Sequence, residues 1–153
     1  MNSDYQKIFD LLADLYENQM PFDRLLGIQV EALSFSQTRV RIDMKDEFIG
    51  NHIRKILHGG VISSVLDLTG GLIASVEIIK NFTSEQPEEI MAYLARVGTI
   101  DLRVDYLRAG KGVYFITSGS VLRKGNKVAV IRTEMHNDQK LLIAAGTGTY
   151  LVG

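Results

Sequence analysis

No cysteine occurs in the chain, which excludes disulfides and thiolate catalysis. A reducing compartment is compatible with that, and the cytoplasm is the expected location. The three histidines, His52, His58 and His136, are scattered. Without a cysteine beside them they argue against a metal centre. The net charge is −1 and the pI near 6.3, so the basic surplus of a nucleic-acid binder is missing. The first residues, Met1 to Ile8, lack the basic start and apolar run of a secretory signal. There is no internal repeat and no low-complexity tract. The chain holds 153 residues, 46% of them hydrophobic and 23% charged, which suits one globular domain spanning 1–153 with a real core.

What is present is a long apolar stretch, Val61–Ile79, that is apolar nearly all round. That is the pattern of a buried core helix over 59–80, and its Ser63, Ser64, Asp67 and Glu77 argue against a membrane span. One carboxylate, Asp67, lies within it. A charged group is almost never buried alone, so Asp67 has either a structural partner or chemical work. The helix opens on His58-Gly59-Gly60. The first amides of a helix lack intrahelical acceptors, and glycine lets a ligand approach them. A donor for a polarised carbonyl and an internal carboxylate are what hydrolysis of an activated acyl group requires. Gly59 and Asp67 are eight residues apart, roughly 12 Å at about 1.5 Å per residue. One carbonyl cannot touch both in one chain. Two helices lying antiparallel in a symmetric homodimer bring one subunit's glycine to the other's aspartate.

Around this helix the periodicity predicts an N-terminal helix over 3–19, with Ser3 and Asp4 as caps and Pro21 as its terminator. Gly27–Phe35 and Thr38–Met44 read as strands, the second alternating Val40, Ile42 and Met44 with Arg39, Arg41 and Asp43. Residues 46–57 read as a loop. The segment 81–96 reads as a variable insertion with a short helix, Glu88–Arg96, whose Ile90, Met91, Tyr93 and Leu94 either line an acyl tunnel or pack on the N-terminal helix. Ile100, Leu102, Val104 and Tyr106 alternate with Thr99, Asp101, Arg103 and Asp105. Val113–Arg123, Val128–Asn137 and Leu141–Val152 complete an antiparallel meander with short turns. Helix and sheet need each other's apolar faces, so the expected class is α+β: one antiparallel sheet wrapped around a long central helix, with an additional N-terminal helix.

This order resembles the hot-dog fold. The segments Leu57-His-Gly-Gly-Val-Ile to Asp67, Gly98-Thr-Ile-Asp-Leu-Arg-Val-Asp-Tyr-Leu-Arg108, Asn126-Lys-Val-Ala-Val and Thr149-Tyr-Leu-Val-Gly153 resemble the PaaI-like acyl-CoA thioesterases, close to the bacterial YigI-type group. The resemblance implies Asp67 as general base or nucleophile, the Gly59 amide as the carbonyl donor, and His58 as the residue that positions loop or substrate. It places the upstream amide residue on Asn51, with His52 the neighbouring choice, and a hydroxyl that helps hold water on Thr99. A further polar position of some relatives falls on Gly71 and is absent here. Gly60, Ser63 and Ser64 join the substrate-binding candidates. Arg108, Arg123, Lys124 and Lys127, with Lys111, are candidates for the nucleotide phosphates of an acyl-CoA. The implied function is hydrolysis of a fatty or aryl acyl-CoA to free acid and CoA, with no cofactor or metal, by a homodimer with shared sites that pairs into a dimer of dimers. No nucleic acid or membrane is expected as a partner.

Blander readings stand beside these. Asp67 can be a core carboxylate bonded to Ser63 or Ser64, one turn back. Asp101, Arg103 and Asp105 read as a solvated or interface ladder, and the basic residues near turns as solvated charge. Two other functions fit the same fold: an enoyl-thioester hydratase or dehydratase, and a non-catalytic acyl-CoA-binding protein.

Overall fold

The computed structural model describes residues 3–83 and 87–153. The capping expected of the Ser3 and Asp4 side chains, and residues 84–86 of the segment 81–96, lie outside the described residues. Helix α1 (Ser3–Asp14) buries Ile8, Phe9 and Leu12. It runs on through one wider, π-type turn, Leu15–Gln19. Pro21 does not simply stop the chain's helical path. It occupies the first turn of a second, short helix, α2 (Pro21–Leu26), which ends on Gly27 in the left-handed region at φ 66°. Proline suits this position because its missing N–H would have had no acceptor there. Six residues are too few to show a helical period, so the sequence pattern hides α2.

The strands are β1 (Gln29–Leu33), β2 (Thr38–Asp43), β3 (Ile49–Asn51), β4 (Ile56–Leu57), β5 (Gly98–Tyr106), β6 (Tyr114–Lys124), β7 (Val128–Asn137) and β8 (Leu142–Leu151). Six of them form one antiparallel sheet in the order β1-β2-β6-β7-β8-β5. The remaining pair, β3 and β4, forms a small hairpin inside 46–57, where the pattern predicts only loop. Helix α3 (Gly59–Ile79) lies on the sheet, against β6, β7 and β8, with Val65, Leu66, Leu72 and Ala74 wholly buried. It is long and apolar enough to cross a membrane, but here it is the core helix around which the sheet wraps. In β2, Val40 and Ile42 point inward, while Arg41 pairs with Asp43 at 2.7 Å on the outer face. Helix α4 (Pro87–Leu94) buries Ile90 and Leu94 in the common core, and Phe82 meets Tyr93 edge-on.

One irregularity decides the site. The pairing of β5 with β8 slips between Thr99 and Asp101, so Ile100 is an extra residue in β5. Below the slip, Leu102, Val104 and Tyr106 face Gly148, Gly146 and Ala144 across the ladder; above it, Thr99 faces Tyr150. These four partners lie at alternate positions of β8 and so share one face. Strict alternation puts Thr99 on the face opposite Tyr106. The bulge returns it to the face that meets α3.

Candidate active site

Local rules build the helix start. His58 is extended at φ −65° and ψ 136°, and its Nδ1 accepts the Gly60 N–H at 2.8 Å. Its carbonyl accepts from Val61 and Ile62, at 3.0 and 3.1 Å. Among the described residues no protein acceptor meets the Gly59 N–H. His58 therefore acts as the N-cap, and its capping leaves one outward donor at the positive end of α3. For Nδ1 to accept, the proton of the neutral ring must be on Nε2. The Tyr106 hydroxyl donates to the Gly59 carbonyl at 3.1 Å, and a Cβ built on Gly59 would stand 3.2 Å from the Tyr106 ring. Glycine is thus what fits between the ring and an incoming carbonyl.

Two turns further along, Asp67 is half-buried. Its Oδ1 accepts from Thr99 Oγ1 at 2.9 Å and from the Tyr150 hydroxyl at 3.2 Å; the same hydroxyl reaches the Asp67 carbonyl at 3.0 Å. Among the described residues nothing bonds Oδ2. Ser63 and Ser64 both donate to the Gly60 carbonyl instead, at 3.1 and 2.7 Å, so they do not supply the partners of a satisfied core carboxylate. The carboxylate is held by one oxygen and presents the other.

Tyr150 was not legible as a site residue. It sits at an inward position of β8, yet nothing in the string Thr149-Tyr150-Leu151 marks its hydroxyl. Its ring lies against two glycines: a Cβ on Gly70 would be 2.1 Å, and one on Gly148 2.5 Å, from the hydroxyl oxygen. Burial first, then the charge of Asp67, raises its pKa above the ordinary tyrosine value. The phenol therefore stays a donor at any working pH. Tyr150→Phe keeps the ring and removes both hydrogen bonds to Asp67. Steady-state kinetics should show kcat falling about tenfold with KM retained, the cost of one lost bond to a charged group.

Two further polar side chains, Tyr16 and Asp23, feel the charge of Asp67. The Tyr16 hydroxyl stands 3.4 Å from where a Cβ on Gly71 would be, so the space left by that glycine is taken by a phenol from another element. Burial pushes its pKa up to about 12. Asp23, on the inner side of α2, is 6% exposed, and its Oδ2 has no partner among the described residues. Burial first, and then the charge of Asp67, pushes its carboxyl up from 3.8 to about 6. The folded pKa is thus above the unfolded one. Stability from this group is full below about pH 4, falls as pH rises to about 6, and is then lost. Asp23→Asn should match the wild type in acid and be more stable than it at about pH 8. Thermal melts across that range check the sign.

The other candidates separate. Asn51 uses its side-chain oxygen on the Ile53 and Arg54 amides, at 3.2 and 3.0 Å, and so closes the β3–β4 turn. His52 is exposed beside it. Neither hydrogen-bonds to His58, Gly59 or Asp67 within the chain. Arg108 follows Tyr106 closely and donates to the Leu142 carbonyl at 2.9 Å, near the helix start. Arg123, Lys124 and Lys127 flank the β6–β7 turn, and Lys124 reaches the Glu77 carbonyl in the last turn of α3. Successive turns of an antiparallel meander fall at opposite ends of the sheet, which splits a group that looks continuous in the sequence.

A cavity of about 430 Å³ opens beside the helix start. Phe22, Leu25 and Leu26 of α2, with Phe48 and Val61, are its apolar lining; His58, Gly60 and Ser64 bring the start of α3 to it, and Lys45 and Glu47 complete it. None of Ile90, Met91, Tyr93 and Leu94 lines it. They pack on the core cluster instead.

Residues 55–144 match the family model described as "Thioesterase superfamily". The chain belongs to this superfamily. It is 40% identical over 148 residues to the medium/long-chain acyl-CoA thioesterase YigI of Salmonella typhimurium, covering 97% of this chain and 96% of that one. The identity and coverage are the same for YigI of Escherichia coli K12. A crystal structure of a Shewanella oneidensis protein related to the thioesterase superfamily superposes with a TM-score of 0.93 at 43% identity, over the full length of both chains. The expected hot-dog fold is the fold observed.

Proposed function

We propose that this superfamily member hydrolyses medium- to long-chain acyl-CoA thioesters to free acid and CoA, as a cytoplasmic homodimer with sites shared between subunits. The observation that carries the reading is that, among the described residues, the Gly59 N–H meets no acceptor while the Asp67 carboxylate is fixed through Oδ1 and bonded by nothing at Oδ2. The thioester carbonyl oxygen accepts from Gly59, which stabilises the negative charge that develops on it. Asp67 Oδ2 takes a proton from water as the water oxygen attacks the carbonyl carbon. The C–S bond then breaks and the thiolate leaves. No step calls for a metal or cofactor.

The shared site finds support in β5. It is an edge strand, and Ile100 and Tyr106 on it are 57% and 55% exposed. Edge strands with apolar residues invite pairing. Thr99 near one end of β5 holds Asp67, and Tyr106 at the other end holds Gly59. An antiparallel two-fold pairing of β5 with its copy exchanges these ends, and so sets one subunit's Gly59 near its partner's Asp67. The β5 Asp101, Arg103 and Asp105 then lie along the junction.

The test is thiol release from a panel running from short to long saturated acyl-CoAs and aryl-CoAs, with enoyl-CoA hydration followed in parallel. Thiol release that rises with chain length is expected. Hydration without thiol release would move the protein to the hydratase class; binding without either would make it an acyl-CoA-binding protein. Native mass spectrometry of the same sample separates dimer from dimer of dimers.

A further inference from the structure

We infer that α2 is the wall against which the acyl chain lies, and that Phe22 and Leu25 on it set the preferred chain length. This rests on the acyl-CoA reading and adds residues to it that the sequence pattern assigned to no site. Phe22, Leu25 and Leu26 fall at helical spacings of three and four, so they form one face of α2. Leu26 is buried and anchors that face, while Phe22 and Leu25 are 55% and 69% exposed. Two large apolar side chains left open beside a cavity are uncovered surface that a chain of methylenes can cover. The cavity is within the range of small-molecule sites, about 300–1,000 Å³. It is continuous with the helix start, because Gly60, His58 and Val61 line it together with α2. A thioester carbonyl held on Gly59 therefore has an apolar cavity beside it for the acyl chain.

The wall is also preorganised. Pro21 fixes the first turn of α2, Gly27 closes it, and Lys45 Nζ caps the Leu26 carbonyl at 3.5 Å. A rigid wall lowers the entropy cost of ordering a flexible chain. Each methylene covered contributes about fourfold in affinity, the equivalent of about 0.8 kcal/mol. The discrimination between long and short chains then depends on how much of the α2 face a chain covers. The pattern 81–96, by contrast, spends its apolar residues on the core.

The experiment uses the full-length protein and two ketone analogues of acyl-CoA, with a methylene inserted between sulfur and carbonyl so that no hydrolysis occurs. One carries a dodecanoyl-length chain, the other a butanoyl-length chain. Calorimetry gives both Kd values for wild type, Phe22→Ala and Leu25→Asp. The ratio of long-chain to short-chain affinity should fall about tenfold in each variant. Leu25→Trp, which fills the cavity instead, should shift the hydrolytic preference to shorter chains, and it tests the wall even if another variant folds poorly. Equal loss for both analogues would mean that the pantetheine arm occupies the cavity. An unchanged ratio would mean that the chain lies elsewhere. A variant that loses both ligands together with its oligomeric state would show that the partner subunit covers this face. Each of these three overturns the inference. A ratio that falls in a protein whose wild type releases no thiol would support the wall and overturn the hydrolytic reading alone.

Discussion

Asp67→Asn nearly abolishes thioester hydrolysis, with kcat reduced about 100-fold or more, and leaves the fold intact. The amide has the shape of the carboxylate, and its oxygen can still accept from Thr99 and Tyr150 as Oδ1 does now. What it loses is the second oxygen, which in Asp67 has no partner among the described residues and is placed to take the proton of water. Thiol release and a thermal melt on one preparation separate the outcomes. Near-wild-type turnover would remove Asp67 from the chemistry. Unfolding would return it to the role of a core carboxylate. A single turnover in heavy-oxygen water tests for the covalent route: label incorporated into Asp67 marks an anhydride opened at the Asp67 carboxyl carbon, which general-base catalysis does not give.

The second large effect is recovery of activity from two inactive proteins. Gly59→Pro removes the one N–H of the first turn that meets no acceptor among the described residues, and proline is tolerated at the first helical position. The Tyr106 ring must yield by a few tenths of an ångström, since a Cβ there would stand at 3.2 Å, so a melt accompanies the assay. The homodimer should lose about 100-fold or more in kcat, the cost of a missing oxyanion donor. Asp67→Asn is inactive for its own reason. In a mixed dimer, two-fold symmetry leaves one site with both groups intact when the groups come from opposite chains. Activity should then return toward half the wild-type value per dimer. If the mixed dimer is confirmed and stays inactive, Gly59 and Asp67 do not meet across subunits.

These experiments test residues that differ in how they can be read. His58, Gly59 and Asp67 are visible in the sequence because their physics is local: a helix start has unpaired amides wherever it lies, and a carboxylate in an apolar helix is conspicuous in any fold. The central helix and the meander follow from periodicity for the same reason. Thr99 is different. Alternation along β5 sends it away from Tyr106, and only the family resemblance brought it to the site; the extra residue Ile100 explains how it gets there. A bulge is a property of two paired strands, so one strand's pattern does not contain it.

Other features divide along the same line. By itself the sequence determined the α+β class, the long core helix, the donor at its start and the carboxylate within it, because burial pattern and helix-end chemistry need only neighbours three or four residues away. Tertiary structure alone decided the rest. Tyr150 reaches Asp67 from 83 residues away through a slot made by Gly70 and Gly148. Asp23 became a buried carboxyl, its Oδ2 without a partner among the described residues, only through the tertiary packing of α2. Arg108 parted from Arg123, Lys124 and Lys127 because successive turns lie at opposite ends of a sheet. The cavity at the helix start took its wall from a six-residue helix with no readable period. Each depends on contacts between segments remote in sequence, and the energy of such a contact is set by what the chain brings to it rather than by the residues on either side.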